Sequence, residues 1–190
     1  MKLRFACVAL VLALAACQQE ASAPSAAEAE APQLDAPAPA SEPSRVFAPQ
    51  NDAARATTGP LIVAMTLRLP SADDASGETT EVLTLRGQNG MLIEAVISGA
   101  VSPATQVQGQ TLRALLDIAV EEPRTLVYRV TTQTRPEGGA GLCGAEEPAF
   151  VVLWEPVAPG EPLLKVLGVA GAAPGAADAR ACTMLDYRRQ

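Results

Sequence analysis

The sequence predicts an all-β domain over residues 60–190, a small antiparallel barrel or sandwich of about seven to eight strands with one disulfide. Three observations support this fold class. Apolar and polar residues alternate along several short segments, as they do in a strand with one buried face. Turn residues separate these segments at the intervals that are typical of antiparallel barrels and sandwiches. Two cysteines, Cys143 and Cys182, lie within the domain.

The clearest strand pair comes first. In LIVAMTLRL, residues 61–69, every second residue from Leu61 is large and apolar. In MLIEAVIS, residues 91–98, apolar residues alternate with Glu94 and Ser98. Between them lies EVLTLRGQNGML, residues 81–92, in which Gly87 and the Asn89-Gly90 pair supply the positive-φ residues that a hairpin turn needs. Four further strands are predicted by the same reasoning, at residues 125–133, 149–155, 162–169 and 182–189.

The segment TLRALLDIAV, residues 111–120, fits two patterns. Leu112, Leu115 and Leu116 share one face of a helix, whereas Leu112, Leu116 and Ile118 share one face of a strand. Periodicity does not decide between them in so short a run. We favour a strand, because the neighbouring segments are predicted strands.

The amino terminus has the parts of a secretory signal peptide over residues 1–16. Lys2 and Arg4 precede an apolar run at residues 5–16. That run of about twelve residues is shorter than the roughly 20 that a membrane-spanning helix needs. A short positive region, a compact apolar region and small residues before a cleavage point are instead typical of a signal peptide.

Leu14-Ala15-Ala16-Cys17 resembles the lipobox of bacterial lipoproteins. The resemblance implies cleavage before Cys17, whose sulfur carries a diacylglyceryl group, often with a further acyl chain such as palmitate on the new amino group. Several acyl chains anchor a protein stably in a membrane, where a single one binds only marginally. Gln18, in place of a retaining aspartate, implies an outer-membrane destination facing the periplasm.

Residues 17–59 are predicted to form a disordered tether, rich in alanine, proline and glutamate. Large aliphatic residues are nearly absent from this segment, so burial does not offset the entropy of ordering it. About 40 such residues span roughly 35 Å as a coil and at most about 120 Å as a polyproline helix. The predicted organisation is therefore a signal peptide at 1–16, a lipid-anchored tether at 17–59 and a β domain at 60–190.

The two remaining cysteines are predicted to pair. With Cys7 removed and Cys17 acylated, Cys143 and Cys182 are the even number that a disulfide requires in an oxidising compartment. Free thiols or metal ligation are the alternatives. The absence of histidine and of a C-x-x-C spacing argues against metal ligation.

Composition and motifs point away from catalysis and from nucleic acids. The formal net charge is −7, and the sequence has no basic patch of the kind that binding to a polyanion requires. No histidine and no G-x-S-x-G motif is present, and no cofactor is predicted. Three acidic groups remain as candidate acid/base pairs, although solvated loop charges explain them better: Glu121-Glu122, Glu146-Glu147, and Asp73-Asp74 with Glu78.

We therefore expect a non-enzymatic binding or structural module, anchored to the membrane through acyl chains on Cys17. Its expected partner is an envelope protein or peptidoglycan. Core packing is the default expectation for the aromatic residues of the domain, and Trp154 is the one considered as an exposed contact. The plan of lipobox, compact β domain and one disulfide is also similar to that of small lipid-anchored lysozyme inhibitors. Those proteins use a loop with serine and lysine, for which Lys165 is the only candidate here. A hydrolase acting through carboxylates is the alternative from another class.

Overall fold

The computed structural model describes residues 43–70, 77–118, 124–156 and 163–190. Ten strands and two short helices lie within these ranges. In chain order they are β1 (Arg45–Pro49), α1 (Asp52–Thr57), β2 (Leu61–Arg68), β3 (Thr80–Gly87), β4 (Leu92–Val101), β5 (Gln106–Val107), β6 (Gln110–Thr111), α2 (Leu112–Leu115), β7 (Thr125–Thr134), β8 (Phe150–Trp154), β9 (Leu163–Ala170) and β10 (Arg180–Arg189).

Eight of the strands form a closed antiparallel barrel, in the order β1-β10-β9-β8-β7-β4-β3-β2. The short strands β5 and β6 pair only with each other, outside the barrel. The predicted fold class is confirmed, with the eight strands at the upper end of the expected number. Closure pairs every strand of the barrel on both sides, which removes the exposed sheet edges that promote aggregation.

The hairpin between β3 and β4 forms where the sequence predicts it. Gly90 has a φ of +92°, a value that glycine adopts without steric cost. The Gly87 amide donates to the Met91 carbonyl at 2.9 Å, and the Asn89 side-chain oxygen accepts from the Met91 amide at 3.1 Å. These bonds fix the register in which Leu85 lies opposite Ile93.

The barrel begins earlier than predicted. Strand β1 and helix α1 fall within residues 17–59, which the sequence analysis assigned to the disordered tether. Strand β1 pairs with both β2 and β10, so the barrel does not close without it. Its five residues bury a single large side chain, Phe47, which is too little for an alternating pattern to be recognised. Residues 17–42 lie outside the described part of the chain.

The strand favoured for residues 111–120 is wrong. The segment forms the end of β6 and then the single-turn helix α2, at whose start the Thr111 hydroxyl accepts from the Ala114 amide. Leu112 and Leu116 are both buried, as their helical spacing of four residues allows. Residues 119–120 lie outside the described part of the chain.

Two apolar clusters lie on the two sides of the barrel wall. The inner cluster fills the barrel with side chains from β1–β4 and β7–β10, among them Phe47, Leu83, Tyr128 and Tyr187. The outer cluster forms where the segment containing α2 covers β8 and β9, and it includes Leu112, Leu116, Val152 and Leu167. Strand β9 is therefore buried on both faces, which explains its almost continuous apolar sequence LLKVLGVA.

One end of the barrel, which we call the closed end, is filled by two elements. Helix α1 places Ala54 in the inner cluster, and the glycine-rich loop at residues 138–144 places Leu142 there. The Cys143–Cys182 disulfide joins this loop to β10. The glycine-rich segment thus belongs to the packing of the closed end. Among the described residues, no helix is long and apolar enough to cross a membrane.

Candidate binding site at the barrel mouth

The opposite end of the barrel, which we call the mouth, lies where β1, β3, β7 and β9 begin and β2, β4, β8 and β10 end. The antiparallel pairing fixes this arrangement, because Arg68 lies opposite Thr80 and Val101 lies opposite Thr125. Trp154, at the end of β8, lies opposite Lys165 in β9. Strand ends are where a rigid barrel presents side chains for binding.

A cavity of about 210 Å³ opens at the mouth. Its apolar walls come from Met65, Leu126, Leu153 and Trp154, and its charged lining comes from Arg124 and Glu155. Met65 and Leu153 belong to or pack against the inner cluster, whereas Trp154 belongs to the outer cluster. The cavity therefore lies at the rim, where the two apolar clusters approach each other.

Exposed leucines surround this cavity. Leu67 continues the inward-facing row that Leu61, Val63 and Met65 begin on β2, and it is 42% exposed. Leu126 is 37% exposed, two residues before the buried Tyr128 on β7. The inward-facing rows of β2 and β7 are therefore buried inside the barrel, and at the mouth the same rows end in exposed leucines.

An ion pair lies beside the apolar surface. The Arg45 guanidinium lies 2.6 Å from the Glu155 carboxylate, and both side chains are partly shielded from water. The same guanidinium lies 5.6 Å from the centre of the Phe47 ring, within the range of a cation–π contact. Glu155 is therefore already neutralised, which limits its repulsion of an anionic ligand.

A second polar contact lies deeper in the barrel. The Tyr128 hydroxyl donates to the Glu81 carboxylate at 2.5 Å. Burial raises the pKa of Tyr128 above its usual range, and the hydrogen bond that its hydroxyl donates to Glu81 raises it further. Tyr128 is therefore a neutral donor at physiological pH, and it holds the Glu81 side chain in place below the mouth.

Two polar groups at the cavity have no partner among the described residues. Trp154 is 5% exposed and its indole Nε1 makes no hydrogen bond there. The Arg124 guanidinium, which is exposed, makes neither a hydrogen bond nor an ion pair with the described part of the chain. The indole nitrogen has almost no accessible surface, so the exposed Arg124 guanidinium is the donor that an acceptor atom in this cavity can reach.

The predicted disulfide is confirmed, since Cys143 and Cys182 are bonded across 39 residues of sequence. Cys17 lies outside the described residues, and its lipidation stays a prediction. Trp154 is buried, so it is not an exposed contact, although the residue does line the cavity.

Lys165, the lysine considered for a lysozyme-inhibiting loop, is only 6% exposed. Its ammonium group donates to the Asp117 carbonyl at 2.8 Å and lies 3.3 Å from the Asp117 carboxylate. It also lies 5.9 Å from the centre of the Trp154 ring. Lys165 therefore fastens the segment after α2 to the barrel wall and is not available to an external cleft.

The acidic groups considered for catalysis do not converge where the structure describes them. Glu146 pairs with Arg180 and Glu147 lies 4.0 Å from Arg135, with both carboxylates well exposed. Glu121-Glu122 and Asp73-Asp74 lie outside the described residues. In the described ranges, no three histidine, cysteine or acidic side chains are grouped closely enough to hold a metal ion.

A larger but shallower groove of about 500 Å³ lies beside the disulfide, at the closed end. Its two charged residues are Glu146 and Arg180, which pair with each other. The main-chain amide of Ala181 is satisfied by the Gln108 side chain at 3.1 Å. With its charged groups mutually satisfied, this groove offers a ligand less than the mouth does.

Sequence reasoning did not identify Arg45, Glu81, Arg124, Tyr128 or Glu155 as members of one site. A partial signal was present, because Glu81 has the same parity as the inward-facing Leu83 and Leu85, and a charge on an apolar face is unusual. The order of the strands in the barrel brings β1, β3, β7 and β8 to one rim. The local alternation of apolar and polar residues does not predict that order.

No family model, no curated protein and no solved structure matches this chain.

Proposed function

We propose that the chain is a lipid-anchored cell-envelope lipoprotein of the outer membrane, facing the periplasm, and that its barrel is a non-enzymatic binding module. The mouth is its binding surface. The proposed partner is an envelope protein or a peptidoglycan fragment. The anchor rests on the signal-peptide pattern and on the lipobox-like sequence that ends at Cys17.

The difference between the two ends of the barrel supports the mouth as the binding surface. The closed end is filled by Ala54 and Leu142. The mouth instead presents a cavity, exposed leucines and a partly buried ion pair. A concave apolar surface with a few convergent polar groups is the usual form of a binding site.

The position of the proposed anchor is compatible with this role. Strand β1 begins at Arg45, on the mouth side of the barrel. Cys17 precedes Arg45 by 28 positions in the sequence, which an extended chain covers in at most about 100 Å. The mouth therefore stays within reach of the membrane to which Cys17 would be attached.

The anchor is tested by replacing its acceptor. Cys17→Ser removes the sulfur that carries the diacylglyceryl group, so the chain should move from the membrane fraction to the soluble fraction. Mass spectrometry of the amino-terminal peptide should find acyl chains on the unmodified chain only. Membrane association that is equal for both chains contradicts the proposed anchor.

The binding surface is tested by crosslinking in cells, followed by pull-down of the anchored chain. Leu126→Asp places a charge in the apolar rim and should greatly reduce the enrichment of the envelope partner. Ile62→Asp is the matched control, since Ile62 is 40% exposed and lies on the outer wall of β2. Equal enrichment for wild type and Leu126→Asp contradicts binding at the mouth.

Among the described residues, those considered for the two alternatives are not placed to support them. An inhibitor of a cell-wall-degrading enzyme needs an accessible lysine, whereas Lys165 is buried and bonded to Asp117. A carboxylate-dependent hydrolase is tested with the double variant Glu146→Gln and Glu147→Gln. We expect peptidoglycan turnover to be unchanged. A loss of turnover at equal protein level would support the hydrolase alternative.

A further inference from the structure

We propose that the cavity at the mouth binds a short aliphatic chain that ends in a carboxylate. This inference rests on the proposed function, because it names the ligand chemistry of the same surface. It is carried by two properties of the cavity: its apolar walls, and the Arg124 guanidinium, which has no partner among the described residues.

The size and walls of the cavity select the aliphatic part. Its volume of about 210 Å³ corresponds to roughly seven molecules of liquid water at about 30 Å³ each. That is below the volume of drug-sized ligand sites, which begin at about 300 Å³. A chain of roughly six to eight carbons therefore fills the space between Met65, Leu126 and Leu153.

The charges around the cavity select the carboxylate. Glu155 is held by Arg45 at 2.6 Å, so among the described lining residues the Arg124 guanidinium is the charge without an opposite partner. A guanidinium binds a carboxylate through two parallel hydrogen bonds, and such charge-assisted bonds are the stronger ones in proteins. A cationic site is also unusual in a chain with a net charge of −7.

The test uses the single tryptophan of the chain as its reporter. Residues 17–190 with Cys17→Ser are titrated with straight-chain monocarboxylates of four to twelve carbons, and Trp154 emission is recorded. Affinity should rise about fourfold for each added methylene, and it should level off near eight carbons, where the cavity is full. Primary alcohols of equal length should bind about tenfold more weakly, because they lack the charge-assisted bonds.

Three variants separate the contributions. Arg124→Gln should remove the difference between acids and alcohols while the dependence on chain length persists. Leu126→Asp should abolish the response to both series. Ile62→Asp, on the outer wall, should bind like the unsubstituted protein.

An affinity that does not depend on chain length overturns the proposal, as does a preference for acids that survives Arg124→Gln. Trp154 emission that does not change with any of the carboxylates overturns it as well. If no carboxylate binds but Leu126→Asp still reduces the enrichment of the envelope partner in cells, the ligand chemistry proposed here is wrong and the proposed function stands.

Discussion

At the scale of the residue, Tyr187 joins the barrel to the helix that fills the closed end. Its hydroxyl oxygen lies 2.6 Å from Thr58 Oγ1, at the carboxyl end of α1, and both residues are fully buried. Burial raises the pKa of Tyr187 to about 12, and the hydrogen bond between Tyr187 and Thr58 only partly opposes this shift. Charging this phenol inside the barrel is therefore unfavourable.

This shift predicts a loss of stability at alkaline pH. The unfolded chain releases the Tyr187 proton near pH 10, whereas the folded chain holds it to about pH 12. The stabilisation is complete below pH 10 and is lost between pH 10 and 12, by roughly 2–3 kcal/mol. Urea unfolding at pH 9 and pH 12 measures it.

Tyr187→Phe removes the titrating group and is the control. Its stability should fall less between pH 9 and 12 than that of the unsubstituted protein, although Tyr128 contributes a decrease of the same sign. An identical decrease in both proteins would show that Tyr187 ionises freely in the folded state.

A second residue-scale feature is the close approach at Gly168 in β9. A Cβ atom there would lie 2.8 Å from Leu142 Cγ and 2.9 Å from Cys143 Sγ. Both neighbours belong to the loop that fills the closed end, so glycine at this position lets the disulfide-bonded loop lie against the strand.

We expect Gly168→Ala to destabilise the domain by about 1–3 kcal/mol, as overpacking of a well-packed site does. Denaturant unfolding measures this cost. The double variant with Leu142→Ala should be less unstable than the sum of the two single variants, because the smaller side chain makes room for the methyl group. If the destabilisations of the two single variants are strictly additive in the double variant, the cost of Gly168→Ala does not come from contact with Leu142.

At the scale of the element, β1 and α1 complete the barrel although the sequence gives little sign of them. Asn51 links the two. Its side-chain oxygen caps α1 by accepting from the Ala54 amide at 2.9 Å, and its side-chain nitrogen donates to the Met184 carbonyl at 3.0 Å. Phe47 and Ala54 then fill space in the inner cluster.

Truncation tests the contribution of these elements. A chain that starts at residue 43 should unfold with nearly the free energy of a chain that starts at residue 17. A chain that starts at residue 60 lacks Phe47, whose loss alone removes about 3–5 kcal/mol, and it leaves two strand edges unpaired. Urea unfolding and size-exclusion chromatography should show it to be unfolded or aggregated.

If instead the chain from residue 60 unfolds cooperatively with unchanged stability, the segment at residues 43–59 is no part of the domain.

At the scale of the whole molecule, much of the barrel could be predicted, because its strands alternate apolar and polar residues or run as short apolar segments. Strand β1 could not, since it buries only Phe47 among large side chains. Helix α2 could not either, because both periods fit Leu112 and Leu116, and only the covered wall of β8 and β9 decides between them.

The residues of the candidate site are brought together by strand pairings between distant parts of the sequence. Arg45, Glu81 and Glu155 lie in β1, in β3 and directly after β8, and the strand order alone brings them to one rim. Nothing in their local sequence distinguishes the filled end of a barrel from the open one. The disulfide could be predicted because only two cysteines remained, whereas Leu142 as a filling residue could not.

The central claim, that the mouth is where this molecule binds its partner, is tested most directly by site-specific photo-crosslinking in cells. Leu67 and Ile62 are the matched positions, since both lie on β2 and are 42% and 40% exposed. Leu67 belongs to the mouth, whereas Ile62 lies on the outer wall. A photoreactive residue at position 67 should give a defined adduct that position 62 does not give. Adducts at position 62 and none at position 67 would contradict the account.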